Sequence, residues 1–83
     1  MYEVRISSRA TKVLEKLPDG LYEQITETIQ ELSINPRPPG CKKLKGRQGY
    51  RIRVGDYRVV YEIEDDKLLV LVIEIGHRRE IYR

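Results

Sequence analysis

The first half of the chain carries one strand pattern followed by two helical patterns. Residues 2–6 alternate apolar and polar side chains, which is typical of a half-buried β-strand. Apolar residues at three- and four-residue spacing then predict two amphipathic helices, with Ser7 or Ser8 capping the first and residues 18–20 separating them. The predicted buried faces consist of Ala10, Val13, Leu14 and Leu17 in the first helix and Leu21, Ile25, Ile29 and Leu32 in the second.

Three strand patterns follow in the second half. Residues 50–54 alternate in polarity and residues 57–63 are rich in β-branched and aromatic side chains, so the intervening Gly55-Asp56 predicts a hairpin turn. After a polar turn, residues 68–75 are apolar at most positions, which indicates a central strand buried on both faces. The predicted element order is β-α-α-β-β-β.

This order predicts an α+β fold in which an N-terminal helical hairpin packs on an antiparallel sheet. A chain of 83 residues has no room for a second core, so residues 1–83 form a single domain. No apolar run approaches the ~20 residues of a membrane-spanning helix, and the N-terminus lacks the features of a signal peptide. The single cysteine, Cys41, cannot form an internal disulfide. We therefore expect a cytoplasmic protein without a membrane partner.

The predicted turn fixes the pairing of the hairpin, so that Arg53 lies opposite Arg58. Because side chains alternate along a strand, Arg51 shares a face with these two arginines. The other face, which we expect to contact the helices, carries Tyr50, Ile52, Val54, Tyr57, Val59 and Tyr61. Two arginines directly opposite each other destabilise a hairpin by roughly 0.2–1 kcal/mol, which a bound phosphate would offset. The pattern therefore favours an anion-binding face over a merely solvated one.

Basic residues are concentrated around this hairpin. Residues 37–58 contain eight Lys and Arg against one acid, a charge of +7, whereas the rest of the chain carries −4. Such a block indicates nucleic-acid binding, although a solvated basic loop has the same charge. Further candidates for RNA contacts are Lys42, Lys43, Lys45 and Arg47. Cys41 and His77 lack metal-ligand spacing, so neither a metal nor a cofactor is expected.

Several stretches of the chain resemble the RelE/ParE superfamily of bacterial and archaeal toxins. They are Asn35-Pro36, Lys43-Leu44-Lys45-Gly46, Gly49-Tyr50-Arg51-Ile52-Arg53-Val54-Gly55-Asp56-Tyr57-Arg58-Val59-Val60-Tyr61 and Gly76-His77-Arg78-Arg79-Glu80-Ile81-Tyr82. With the order of elements, the resemblance covers nearly the whole chain. RelE-like members are endoribonucleases that cut mRNA in the ribosomal A site, whereas ParE-like members share the fold and inhibit DNA gyrase.

The resemblance implies roles for five residues. Arg51 and Arg53 fall where RelE-type enzymes carry two basic residues, Arg58 matches an arginine on the next strand, Arg78 a basic residue after the last strand, and Tyr82 a C-terminal tyrosine. All five side chains suit the nuclease branch, although the best-known enzymes have lysine at positions 51 and 53. The resemblance also implies a RelB-like antitoxin that covers the basic face, and a toxin that is monomeric until it forms a hetero-oligomer with that antitoxin.

The implied reaction is attack of an RNA 2′-OH on the adjacent phosphate, which gives a 2′,3′-cyclic phosphate and a free 5′-OH. Arginine is a poor base, because its neutral form at pH 7 costs roughly 7 kcal/mol. Arg51, Arg53 and Arg58 are therefore expected to stabilise charge, with Arg58 and Arg78 binding the phosphate. The ordinary pKa of imidazole favours His77 for proton transfer, and the resemblance favours Tyr82. A ParE-like gyrase inhibitor and a non-catalytic RNA-binding module are the alternatives.

Overall fold

The computed structural model describes residues 1–77, in which two helices pack on one face of a five-stranded sheet. The elements are β1 (Glu3–Ile6), α1 (Ser8–Glu15), α2 (Asp19–Leu32), β2 (Lys42–Lys43), β3 (Tyr50–Val54), β4 (Tyr57–Glu64) and β5 (Leu69–His77), with a 3-10 turn at Asp65–Lys67. Neither helix in this range has the length and apolar character that a membrane span requires. The predicted α+β fold is confirmed, and β2 is an addition to the predicted order.

The sheet is mixed rather than purely antiparallel as predicted. Its strand order is β1-β5-β4-β3-β2, and β1 runs parallel to β5 while every other neighbouring pair is antiparallel. A parallel pair needs a long crossover connection, and here all the other elements lie between the two strands in the chain. The predicted central position of the last strand is confirmed, because β5 is paired on both sides.

The register of the β3–β4 hairpin agrees with the predicted pairing. Arg53 lies opposite Arg58. The same register extends from Val54, opposite Tyr57 at the turn, to Tyr50, opposite Tyr61. Gly55 has a φ of 60° while Asp56 keeps a negative φ, which is the pattern of a type II′ turn. The twist of this turn matches that of the flanking strands, and the turn thereby fixes which side chains share a face.

The hydrophobic core lies between the helices and one face of the sheet, called here the helix side. The buried core residues are Ala10, Leu14, Ile25, Ile29, Leu32, Val59, Tyr61, Val70, Val72 and Ile75. The predicted apolar faces of both helices are represented in this set, with Val13, Leu17 and Leu21 partly buried against it. The opposite side of the sheet, called the outer face, carries the side chains that alternate with the core residues.

A one-residue bulge divides the β4–β5 pairing into two registers. Tyr61 pairs with Val72, whereas Val60 pairs with Glu74, so Ile73 is the additional residue. Upstream of the bulge Val72 faces the helix side, and downstream of it Ile75 does so as well. The bulge therefore allows β5 to bury apolar side chains under the helices along its whole length.

Ser7 connects this bulge to the start of α1. Its hydroxyl donates a hydrogen bond to the carbonyl oxygen of Ile73 at 2.7 Å and accepts one from the backbone N–H of Ala10 at 3.1 Å. Its own backbone N–H donates to the carbonyl oxygen of Val72 at 2.9 Å. Ser7 is thus the helix cap, one of the two predicted, and it also satisfies a carbonyl group that the bulge removes from regular pairing.

We predict that Ser7→Ala lowers the free energy of unfolding by about 2 kcal/mol, because it removes both the cap and the hydrogen bond to the bulge. Urea denaturation followed by circular dichroism measures the change. Ser8→Ala, one residue along and exposed, is the matched control and should stay within about 0.5 kcal/mol of the wild type. Equal losses in the two variants would contradict this role of Ser7.

Candidate functional site

The outer face of the sheet contains a cavity of about 360 Å³ next to the β3–β4 hairpin. We call it the arginine cavity. Its lining consists of Pro39, Gly40, Lys42, Arg51, Ile52, Arg53 and Arg58. The volume is within the range of small-molecule and nucleotide sites, about 300–1,000 Å³. The structure therefore brings the three predicted hairpin arginines together around one concave surface and adds a lysine to them.

Strand pairing alone places these four cations side by side. Lys42 lies opposite Arg51 in the β2–β3 pair, Arg53 follows Arg51 by two residues, and Arg58 lies opposite Arg53. Residues directly opposite each other, or two apart on one strand, project from the same face of a sheet. No long loop is needed to assemble the cluster, so its geometry has the rigidity of the sheet itself.

The arginines differ in their exposure to solvent. Arg53 is exposed and Arg51 is half-buried, whereas Arg58 is only 4% exposed. Opposite Arg58 on β5 lies Gly76, which has no side chain to occupy the space beside the guanidinium group. Charges interact more strongly where water is excluded. A bound anion should therefore interact more strongly with Arg58 than with Arg51 or Arg53.

Three of the four basic residues predicted to contact RNA outside the hairpin do not line the arginine cavity. Lys43 pairs with Tyr50, and its Nζ lies 5.9 Å from the centroid of the Tyr50 ring, on the helix side of the sheet. Lys45 and Arg47 are exposed in the segment between β2 and β3. Only Lys42 of this group lines the cavity with the arginines. Side chains alternate along β2, so that of Lys43 projects from the other face.

His77, predicted as a candidate for proton transfer, lies on the helix side rather than in the arginine cavity. It is the last residue of β5 and pairs with Tyr57, whose ring meets the imidazole edge-on at a centroid distance of 5.5 Å. The strand continues two residues beyond the predicted end, so alternation from Ile75 determines the direction of the His77 side chain. Arg78 and Tyr82, the other predicted tail residues, lie outside the described residues.

A second polar cluster, formed by Tyr2, Arg37, Tyr50 and Asp65, lies outside the cavity and was not predicted as a unit. Arg37 donates two hydrogen bonds to the carboxylate of Asp65, at 3.1 Å and 2.9 Å, and its Nε donates to the Tyr50 hydroxyl at 3.2 Å. The Tyr2 hydroxyl donates to the same carboxylate at 2.7 Å. The sequence gives no local signal for this cluster, because Arg37 and Asp65 are 28 residues apart and meet only in the fold.

Hydrogen bonds within this cluster shift two pKa values in opposite directions. The guanidinium group of Arg37, and after it the hydroxyl of Tyr2, lower the pKa of Asp65 to about 2. The same hydrogen bond to Asp65 raises the pKa of Tyr2. The ionised carboxylate is therefore the stable form throughout the physiological pH range.

Tyr61 fixes the backbone between α2 and β2 from inside the core. Its hydroxyl donates a buried hydrogen bond of 2.7 Å to the carbonyl oxygen of Pro36, and its ring stacks on that of Tyr50 at a centroid distance of 5.9 Å. Burial, and after it the neighbouring Cys41, raises the pKa of Tyr61, so the hydroxyl remains protonated and available as a donor. Within residues 1–77 no cluster of three or more His, Cys, Asp or Glu side chains could ligate a metal ion.

A group of four cations on one face of a small α+β domain is the charge pattern expected of a domain that binds polyanions. Comparison with known proteins is more specific. The ParE toxin family of type II toxin-antitoxin systems (parDE) matches residues 4–82. The putative toxin RelE1 of Methanocaldococcus jannaschii is 33% identical over 99% of this chain and 96% of its own length. The mRNA interferase toxin RelE of Escherichia coli strain K12 is 32% identical over 98% of this chain and 90% of its own length.

Solved structures agree with these relatives. The toxin in the intact E. coli RelBE toxin-antitoxin complex superposes with a TM-score of 0.81 at 32% identity, covering 93% of this chain and 96% of the other. The archaeal RelE–RelB complex from Pyrococcus horikoshii OT3 gives a TM-score of 0.84 at 30% identity, covering 93% and 94%. The chain belongs to the ParE toxin family of type II toxin-antitoxin systems, and to its RelE-like branch. The predicted resemblance is confirmed.

We predict that acid weakens the fold through Asp65. Because its pKa in the folded state is below the ordinary value of 3.8, its contribution to stability is complete above about pH 5. That contribution is lost as the pH falls from about 4 to about 2, when the carboxylate is protonated. Urea midpoints of wild type and Asp65→Asn, measured between pH 7 and pH 2, should converge over this interval. The adjacent exposed residue provides the control: Asp66→Asn should retain the acid response of the wild type.

Proposed function

We propose that this chain is the toxin of a type II toxin-antitoxin system that cleaves mRNA in the A site of the translating ribosome. The observation that carries the proposal is the arginine cavity, in which Lys42, Arg51, Arg53 and Arg58 converge on a space of nucleotide size. Relatives named as mRNA interferases support the nuclease activity. The substrate is the phosphodiester backbone of mRNA, and the product ends are a 2′,3′-cyclic phosphate and a 5′-hydroxyl.

The cations act by electrostatic stabilisation. Attack by the 2′-OH develops negative charge on the non-bridging phosphate oxygens, and arginine presents several N–H donors to such a group at once. Arg58 holds the phosphate from the buried side, while Arg51 and Arg53 approach it from the more exposed rim. Their pairing in one rigid hairpin means that they need no rearrangement when the charge develops.

Proton transfer in this proposal belongs to the tail that follows β5. Tyr82 accepts or donates the proton, and Arg78 adds a second phosphate contact, as the resemblance to RelE-type enzymes implies. The orientation of His77 supports this choice over the imidazole, because His77 contacts Tyr57 on the helix side. Cations next to a tyrosine hydroxyl lower its pKa, which brings it closer to the range that acid-base catalysis requires.

The proposed partner is a RelB-like antitoxin that covers the basic outer face. Structures of RelBE complexes from E. coli, Mycobacterium tuberculosis and archaea are among those similar to this chain, and they support such a partner. In this scheme the toxin is monomeric when free and hetero-oligomeric with its antitoxin. Because the substrate is mRNA on ribosomes, the proposed location is the cytoplasm.

We predict that Arg53→Ala lowers the rate of mRNA cleavage by about 100-fold, because it removes one donor to the transition state. The measurement is single-turnover cleavage of mRNA in purified ribosomal complexes. Arg53 is exposed, so the variant should fold. Arg5→Ala, which removes an exposed arginine from β1 at the far edge of the sheet, is the control and should cleave at the wild-type rate.

Mapping of mRNA ends in cells that express the chain tests the function as a whole. New ends at fixed positions within codons are expected. DNA damage without new mRNA ends would instead identify a ParE-like inhibitor of gyrase, and RNA binding without cleavage on the ribosome would identify a non-catalytic binding module. Either result would refute the nuclease proposal.

We predict that the two adjacent lysines of β2 differ in their effect on RNA binding. Lys42→Ala should lower the slope of log affinity against log salt concentration by about 0.7 for single-stranded RNA, since it removes one phosphate contact. Lys43→Ala should leave the slope unchanged, because that side chain lies on the helix side. The probe is an RNA oligonucleotide with a 2′-deoxy sugar at the cleavage position, titrated at several salt concentrations. Identical slopes for the two variants would contradict a contact confined to the outer face.

A further inference from the structure

Part of the wall of the arginine cavity does not belong to the sheet. Pro39 and Gly40 lie in the segment that joins α2 to β2, and they line the cavity together with the strand residues. Strand pairing fixes the cations relative to one another. It does not fix this wall, whose position depends on the contacts of residues 33–41.

The segment crosses from one side of the sheet to the other. Arg37 lies against Tyr50 on the helix side, with its guanidinium carbon 5.3 Å from the ring centroid, whereas Pro39 and Gly40 line the cavity on the outer face. The N–H of Cys41 donates to the carbonyl oxygen of Pro38 at 3.1 Å, which closes the turn between them. Because Pro38 and Pro39 restrict the backbone, we expect a displacement at position 37 to move the wall as well.

The Tyr61 hydroxyl and the backbone N–H of Tyr2 bind carbonyl oxygens at the start of this segment, those of Pro36 and Ser33. The side chain of Arg37 adds a contact closer to the cavity wall. It binds the carboxylate of Asp65 with two hydrogen bonds and the hydroxyl of Tyr50 with a third. Tyr50 directly precedes Arg51 in β3. Arg37 therefore binds the same strand that carries Arg51 and Arg53 of the cavity.

We propose that Arg37 is a positioning residue for RNA cleavage, which holds the Pro39–Gly40 wall at the distance from Arg51 and Arg53 that orients the scissile phosphate. This inference rests on the proposed nuclease function and assigns to that site a residue outside its cation cluster. Arg37 does not contact the RNA. Its guanidinium group is directed toward Asp65 and Tyr50, and the paired carboxylate compensates its charge.

A positioning role and a phosphate contact have different kinetic consequences. Misplacement of a wall by about 1 Å lowers the rate of the chemical step by up to 100-fold, while the affinity for the substrate changes little. Loss of a phosphate contact weakens binding and lowers its salt dependence. The rate at saturating toxin, the half-saturating toxin concentration and the salt slope therefore separate the two roles.

The test uses the full chain and purified ribosomes carrying an mRNA in the A site. Single-turnover cleavage is measured over a range of toxin concentrations for wild type, Arg37→Ala, Arg37→Lys and Asp65→Asn. The control is Arg5→Ala, which also removes an arginine from an exposed ion pair, here with Glu3. Exposed ion pairs contribute little to stability, so all of these variants should fold, as urea denaturation would verify.

The expected result is a 10- to 100-fold lower rate at saturation for Arg37→Ala and Asp65→Asn, with half-saturating concentrations and salt slopes within twofold of the wild type. Arg37→Lys should recover part of the rate, because lysine can bind Asp65 without reaching Tyr50 in the same geometry. A variant that combines Arg37→Ala with Asp65→Asn, measured in the same way, should be no slower than either single variant.

Two results would overturn the inference while leaving the nuclease function intact. One is an unchanged rate for Arg37→Ala. The other is a raised half-saturating concentration with a lower salt slope, which would make Arg37 an RNA contact. A wild-type chain that leaves the mRNA whole on the ribosome would overturn both the proposed function and this inference.

Discussion

The bulge at Ile73 is the constraint on which both the core and the arginine cavity depend. In the register upstream of the bulge, Arg58 would lie opposite Ile75, and an isoleucine would project from the outer face. The additional residue returns Ile75 to the core and places Gly76 beside Arg58, which leaves room for a buried guanidinium group. Ser7 stabilises this arrangement by binding the Ile73 carbonyl oxygen. A hydrogen bond at the start of a helix thus supports a cation on the opposite side of the sheet.

The sequence was sufficient to predict the features that depend on neighbouring residues. The hairpin register followed from a glycine-led two-residue turn and from the requirement that arginines stay out of the core, so Arg53 and Arg58 were paired correctly. The buried faces of the helices followed from their periodicity in the same way. Counting by two from Ile75 would also have placed His77 on the helix side, had the strand been extended beyond residue 75.

The remaining features depend on contacts between distant parts of the chain. Nothing near β1 indicates that it pairs with β5 in parallel, and a two-residue strand such as β2 is too short to show alternation. A count of charges likewise could not separate Lys42, which lines the cavity, from Arg37, which binds Asp65. The basic block is one feature in the sequence, but the fold divides it between a nucleotide-sized cavity and a structural cluster.

The alternation of side chains in β3 and β4 also limits how this hairpin can change during evolution. Its cavity cations and the tyrosines that hold the neighbouring segment, Tyr50 and Tyr61, lie on opposite faces of the same two strands. A single inserted or deleted residue that no bulge absorbed would exchange the two sets, placing charge in the core and aromatic rings in solvent. We therefore expect the hairpin to diversify by substitution rather than by a change of length, and changes of length to be accommodated more readily at the exposed residues 45–48.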